Sequence, residues 1–465
     1  MSDGTAVLVR ERVDESTLGW APLLVVLTGT FVTFLDFFIV NVALPSIQTD
    51  LHAGPSAVSL VVAGYGLTFA VGMITGGRLG DLYGRRRLFA IGLALFTLTS
   101  LACGLAPTIG VLIVARLLQG AAGALLTPQV LAILGTVYTG ARRATAFAAY
   151  GFTMGIAAVL GQVIGGALIE ADVAGLGWRS IFLINVPVGL IALPFVARLV
   201  PESHGASARL DLVGAGIITA TVTAIVLPLV EGREHGWPAA AWVSLAVAPL
   251  LAIAFVVHQR GRRAPLVDLA LFGNRTFALG CLTALTFSLV PAAFFFVLAL
   301  YLQDGRGDSA LLSGAIFAVA GAGYFAAMFA ATSLAARLRH QVLAVGAVVV
   351  AVGSAVLASA AHAASALDLL PGLALVGFGI GMVLVPLSAT VLAGVDPRHA
   401  GSAAGVLSTA QQVGAALGVA VIGVVFFGGG TVPHAFTASL WVLAGLTVLT
   451  AVLAQTLAPR RQPSE

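Results

Sequence analysis

Long apolar runs separated by short polar breaks fill almost the whole chain. A helix needs about 20 mostly apolar residues to cross a bilayer. Runs of that kind lie near 20–46, 57–77, 88–106, 109–135, 144–170, 180–200, 211–230, 239–257, 275–302, 310–335, 341–361, 367–394, 401–427 and 436–457. The pattern predicts fourteen membrane-spanning helices. The third and fourth runs are parted only by "PT", which makes them a tight hairpin. The runs group as six, two and six, which gives an all-α integral membrane fold of two six-helix bundles with two helices inserted between them. The expected divisions are a tail over 1–19, a first bundle over 20–200, the inserted pair over 201–258, a charged linker over 259–274, a second bundle over 275–457 and a tail over 458–465.

The polar breaks carry the sidedness. With the N-terminus inside, the inner segments hold Arg10, Arg12, Arg78, Arg85, Arg86, Arg87, Arg142, Arg143, Arg198, Arg209, Arg260, Arg262, Arg263, Arg275, Arg337, Arg339, Arg398, Arg460 and Arg461. The outer side receives Arg179, Arg233 and Arg306, and Arg116 falls inside a run. This bias follows the positive-inside rule and would be scrambled by an odd number of helices. It places both termini in the cytoplasm and the protein in the cell membrane.

Composition narrows the function. Only 9% of residues are charged and the mean hydropathy is +1.05, against about 25% charged in a soluble domain. A pI near 9.5 raises the question of nucleic acid, but the arginines sit in short loops and form no continuous basic face. Every basic residue is arginine, so neither a Walker A nor a Schiff-base lysine exists. No HExxH, paired CxxC or GxSxG pattern occurs. Cys103 and Cys281 lie inside apolar runs and offer neither a disulfide framework nor metal spacing. No catalytic residue, metal site or cofactor is expected, and the first apolar run is too long for a cleaved signal peptide.

Against that background one acid stands out. The stretch "FLDFFIVNVALP" carries Asp36 about nine residues from the outer end of the first helix, roughly 13 Å deep at 1.5 Å per residue. Arg116 lies roughly 10 Å into the fourth helix by the same rise. The two share a layer, and pairing would lower the cost of burying both. An ionisable group at such depth is a functional candidate by default, the alternative being an ion pair that only locks the two helices together. Glu170, Glu231 and Asp304 sit at outer helix ends instead. The second half has no charge within a run. It carries Tyr324, Gln411 and Gln412 among phenylalanines, as an apolar cavity with a few hydrogen-bonding groups would. Asn41, Gln119 and Gln162 are further cavity candidates, because an amide facing lipid is expensive.

Several stretches carry a resemblance. "GGRLGDLYGRRRLF", residues 76–89, resembles the signature loop of the major facilitator superfamily, with Gly77, Asp81, Gly84, Arg85 and Arg86 in place. "LDFFIVNVALPSI", "VARLLQGAAGALLTPQ", "WRSIFLINVPVG" and "QQVGAALGVAVIG" resemble segments of its fourteen-helix drug:proton antiporter branch. In the fifth helix the family's "GPxxGG" ending is altered. Gly155, Gly161, Gly165 and Gly166 keep a small face for close helix approach, but Gln162 stands where proline is usual. Gly123 and Pro128 are echoed at equal spacing by Gly381 and Pro386, as parallel repeats would be. The resemblance implies a monomeric, proton-driven antiporter that exports lipophilic small molecules by alternating access. Asp36 and Arg116 would couple the proton, and the Asp81 loop would serve as a conformational latch. Uptake of a metabolite with protons is the other transport reading. A non-transporting sensor is disfavoured, since no loop is long enough for a signalling domain.

Overall fold

The computed structural model describes residues 20–457 except 206–209, 233, 263–264, 339–340, 364, 394 and 396–399. The two expected tails, 1–19 and 458–465, lie outside the described residues. The helices are α1 (Trp20–Asp50), α2 (Pro55–Tyr83), α3 (Arg85–Gly104), α4 (Ile109–Val137), α5 (Gly140–Ala171), α6 (Ser180–Leu183), α7 (Asn185–Leu199), α8 (Leu212–Glu231), α9 (Ala239–Arg260), α10 (Arg275–Leu300), α11 (Ala310–Leu338), α12 (Val342–Ala360), α13 (Leu370–Leu392), α14 (Ala400–Phe426) and α15 (Val432–Gln455). Among the described residues, fourteen spans are long and apolar enough to cross a membrane. They are helical because a spanning segment must satisfy its backbone polar groups within itself. Helices α6 and α7 belong to one span, Gly177–Leu199, interrupted at Ile184 where Pro187 has no N–H to give the Leu183 carbonyl.

Packing repeats between the halves. Helix α1 lies along α5, α2 along α4, and α3 along α4 and α7. In the same order α10 lies along α14, α11 along α13, and α12 along α13 and α15. The halves meet through α2 with α14 and α5 with α11, a pairing that interchanges under a twofold. The sequence echo has a structural counterpart. A Cβ on Gly123 would meet the Phe69 ring of α2 at 2.9 Å, and one on Gly381 the Ala327 side chain and Tyr324 carbonyl of α11 at 2.7 and 2.8 Å. At both places a bare backbone lets two helices close up.

The halves touch at one end and part towards the other. Away from the "GGRLGDLYGRRRLF" loop, Gln303 donates to the Val42 carbonyl at 2.8 Å and the rings of Phe38 and Phe295 meet at 5.6 Å. Along the α5–α11 seam, a Cβ on Gly166 would lie 2.3 Å from the Ala310 carbonyl, and one on Gly314 2.5 Å from the Gln162 carbonyl. Nearer the arginine-rich loop, the backbones no longer touch: a Cβ on Gly155 would meet the side-chain rings of Phe325 at 2.9 Å and Tyr324 at 3.2 Å, and one on Gly151 meets nothing within 4 Å. On α14 the stripe behaves likewise: Ala416 faces Gly66 at 3.5 Å, whereas Gly405, three turns nearer the loop, meets nothing within 4 Å.

The inserted pair is tied down at both ends. Helix α8 packs on α9 and also on α2 and α14. Beyond it, Glu234 caps α2 by accepting from the Ser56 N–H at 3.0 Å. At the opposite end the segment read as a charged linker is anchored, contrary to a plain solvated connection. Leu266 and Val267 are buried, and their N–H groups donate to Gln259 Oε1 at 2.6 and 3.2 Å. Arg78 of α2 donates to the Pro265 carbonyl. Asp211 accepts from the Gly214 N–H, Gln259 and His258 at 2.8–3.0 Å. Burial alone would raise its pKa, but the hydrogen bonds from His258, Gly214 and Gln259 outweigh that and hold it at about 2. The group is depressed from its ordinary 3.8, so its stabilisation is complete above that value and lost as pH falls through about 2. Asp211→Asn should therefore lower the unfolding temperature of the purified protein at pH 7. An unchanged temperature would show that Asp211 does not hold the junction.

Candidate functional site

Asp36 lies mid-way along α1, and its carboxylate and the Arg116 guanidinium are both wholly shielded from solvent. Arg116 Nη1 donates to Asp36 Oδ2 at 2.5 Å. Arg116 and Gln119 are three residues apart on α4, hence on one face, and Gln119 Nε2 donates to Asp36 Oδ1 at 2.9 Å. Asn185, which opens α7 after the break at Ile184, donates through Nδ2 to the same oxygen at 3.1 Å. Three donors from two helices thus converge on one carboxylate. Ser100 Oγ of α3 accepts the other amide hydrogens, from Gln119 at 2.7 Å and from Asn185 at 3.3 Å. Four helices are joined in one polar cluster inside the first bundle.

Arg116 has interests besides the acid. Its Nε donates to the Val61 carbonyl of α2 at 3.0 Å, and its Nη1 also reaches Gln119 Oε1 at 2.7 Å. The guanidinium lies 4.3 Å over the Tyr65 ring and 5.6 Å from that of Phe182. A cation held over an aromatic face gains about 2 kcal/mol when desolvated. A buried pair with only one partner on each side is fragile. Here the cation keeps contacts when the acid loses its charge.

The other sequence candidates are dispersed. Asn41 is buried but turns back on its own helix, donating to the Phe37 and Phe38 carbonyls at 3.3 and 3.1 Å, and it stands apart from the Asp36 cluster. Gln162 is 2% exposed, and neither its amide nitrogen nor its oxygen has a partner. Tyr324 of α11 and Gln411 and Gln412 of α14 are half-buried and make no hydrogen bond to the cluster. The α5 glycines divide their work. Gly161 and Gly165 back onto Leu35 and Ile39 of α1, and Gly155 and Gly166 onto Phe325 and Ala310 of α11.

In the signature loop Gly84 has φ 101°, a left-handed conformation that favours glycine. A Cβ on Gly77 would rest 3.6 Å from Pro128. Asp81 takes the arginine and not the helix N-terminus: Arg85 Nη2 donates to it at 2.7 Å. The N-terminus of α3 is served by Glu202, which accepts from the Arg86 N–H at 2.9 Å. The segment after α7 closes over the loop, with the Arg85 N–H on the Ser203 carbonyl and the Gly205 N–H on that of Asp81.

Sequence reasoning missed Asn185, Ser100 and Tyr65. Asn185 had a readable signal, an amide inside an apolar run, the same ground on which Asn41 was chosen. Ser100 had none, since a serine in a spanning helix is ordinarily satisfied by its own backbone. Cys103 is buried and places its Sγ 3.5 Å from Gln119 Oε1.

The sequence model of the Major Facilitator Superfamily matches residues 26–419. A probable actinorhodin transporter of Streptomyces coelicolor is 37% identical over 424 residues, covering 88% of this chain and 72% of that protein. A puromycin resistance protein of Streptomyces alboniger is 35% identical, covering 95% of this chain and 92% of that protein. Among solved structures, a peptide transporter in complex with sulfate superposes with a TM-score of 0.71 at 16% identity, covering 96% of this chain and 98% of the other. At that identity the likeness is one of fold.

Proposed function

The chain belongs to the Major Facilitator Superfamily, and from that premise we propose that this multi-pass transporter is a proton-coupled antiporter exporting lipophilic small molecules from the cell. The observation that carries the reading is the Asp36 cluster. As a carboxylate, Asp36 is held by Arg116, Gln119 and Asn185. Protonated, it has no charge to offer Arg116, which retains the Val61 carbonyl, Gln119 Oε1 and the Tyr65 ring. Both protonation states are thus supported, as a site that loads and releases a proton requires.

The direction of transport is supported by the names of the two relatives, a probable actinorhodin transporter and a puromycin resistance protein. With both termini in the cytoplasm of a cell-membrane protein, the parted end faces inward. Rocking of the halves would then alternate access, and the Asp81–Arg85 loop would act as the latch when that end closes. Asp36 is the one carboxylate at depth in the first bundle, so the substrates are neutral or singly cationic, because an unpaired buried charge is costly. The transporter would work as a monomer with no cofactor, drawing on the proton gradient.

The test is direction and driving force together. In energised inverted membrane vesicles containing the protein, a lipophilic monocation such as ethidium should accumulate, and a protonophore should release it. Accumulation that ignores the protonophore, or none at all across a panel of neutral and monocationic lipophilic drugs, sinks the reading.

A further inference from the structure

The two seams between the halves are not equivalent. Helix α8 packs across α2 and α14, and residues of all three helices, among them Ser59, Leu229 and Gly423, line one crevice. Among the described residues, neither inserted helix packs closely on the α5–α11 seam. That seam is closed by bare glycine backbone at Gly166 and Gly314 and opens towards Gly151, whose missing side chain faces empty space. The opening is walled by aromatic rings from both halves. Phe152 of α5 and Phe325 of α11 lie 6.0 Å apart, and Tyr324 and Phe329 flank Phe325 at 5.9 and 6.5 Å. Phe152 and Phe329 are 44% and 73% exposed.

At the closed end of this mouth sits Gln162. It follows Gly151 and Gly155 by eleven and seven residues, so all three share one stripe of α5. Helical side chains lean towards the N-terminus, which here is the direction of the mouth. Its amide is buried, yet both polar atoms lack a partner. Leaving such an amide unsatisfied is unfavourable, and a ligand carrying a donor and an acceptor would relieve it. No charged residue occurs between Gly151 and Gly166 or between Ala310 and Ala330.

We propose that the α5–α11 mouth is a binding site for a flat, uncharged aromatic molecule entering from the bilayer, with its rings against Phe152, Tyr324 and Phe325 and its hydrogen-bonding group on the Gln162 amide. As the place where an exported compound is first bound, the site deepens the transport reading above and rests on it. The binding itself is measured separately.

The probe is radiolabelled 1-aminoanthracene, a neutral planar amine, and the sample is the full-length protein in nanodiscs with no proton gradient. Wild type should bind it saturably, above the uptake of protein-free nanodiscs. Gly151→Trp, which puts a ring into open space without a clash, should weaken binding about tenfold or more. Gln162→Leu should do the same by removing the amide. Gly445→Trp on α15, where an added side chain also meets nothing, should bind as wild type. Non-saturable uptake would mean that only lipid fills the mouth and would overturn the proposal. So would wild-type affinity in both Gly151→Trp and Gln162→Leu, or an equal loss in Gly445→Trp. Loss of gradient-driven export with this binding intact would refute the transport reading alone.

Discussion

Asp36→Asn should fold, reach the membrane and bind substrate, yet fail to move substrate uphill. The amide keeps the size of the side chain, and its oxygen can still accept from Arg116 Nη1, now 2.5 Å from the carboxylate. What it loses is the ability to carry a proton. In proteoliposomes under an imposed pH step, substrate accumulation should fall to the level of empty liposomes. Exchange of labelled for unlabelled substrate at equal pH should persist, because no net proton movement is needed. That split separates coupling from folding: a merely structural role predicts parallel loss of both activities with loss of protein. Should Asp36→Asn still concentrate substrate against its gradient, the acid is only a partner of Arg116 and the proton is carried elsewhere.

Arg116→Gln should be the more damaging change to stability. Removing one member of a buried ion pair leaves the other charge uncompensated, at a cost of about 3–5 kcal/mol. Here the remaining Asp36 carboxylate keeps only the amides of Gln119 and Asn185. Without its cation the site should no longer cycle, so proton release and turnover should fail together with the drop in unfolding temperature. The double variant Asp36→Asn/Arg116→Gln removes both charges and should recover part of that temperature while remaining uncoupled. Thermal unfolding in detergent beside the pH-step assay reads both. An Arg116→Gln protein as stable as wild type, or a double variant less stable than Arg116→Gln alone, would show that the pair does not carry the expected energy.

The cluster also shows how far one-dimensional reasoning reaches. Asp36, Arg116 and Gln119 were legible because a charge or amide in hydrocarbon is expensive and so marks itself in an apolar run. The same argument marked Asn41, which meets part of its need from the Phe37 and Phe38 carbonyls one turn back and lies outside the Asp36 hydrogen bonds. It passed over Asn185 and Ser100, which become partners of Asp36 only when α7 and α3 fold against α1 and α4. The loop partner of Asp81 was decided by the fold: Glu202, more than a hundred residues on, occupies the end of α3, and Asp81 pairs with Arg85.

By itself the sequence determined the fourteen spans and the six, two and six grouping, because bilayer thickness fixes helix length and the cost of charge in hydrocarbon fixes what lies between helices. It singled out Gly155, Gly161, Gly165 and Gly166, but not Gly151 or Gly314, and not what each one meets. The tertiary structure decided the rest. It brought three donors onto Asp36, seated α8 on the α2–α14 seam and pinned the linker through Gln259 and Arg78. It left the α5–α11 seam parted at one end, with the Gln162 amide unpaired. These are contacts between segments far apart in the chain. Their geometry depends on which faces of the helices meet and at what distance, and hydrophobic patterning sets only that a face is apolar, not which neighbour covers it.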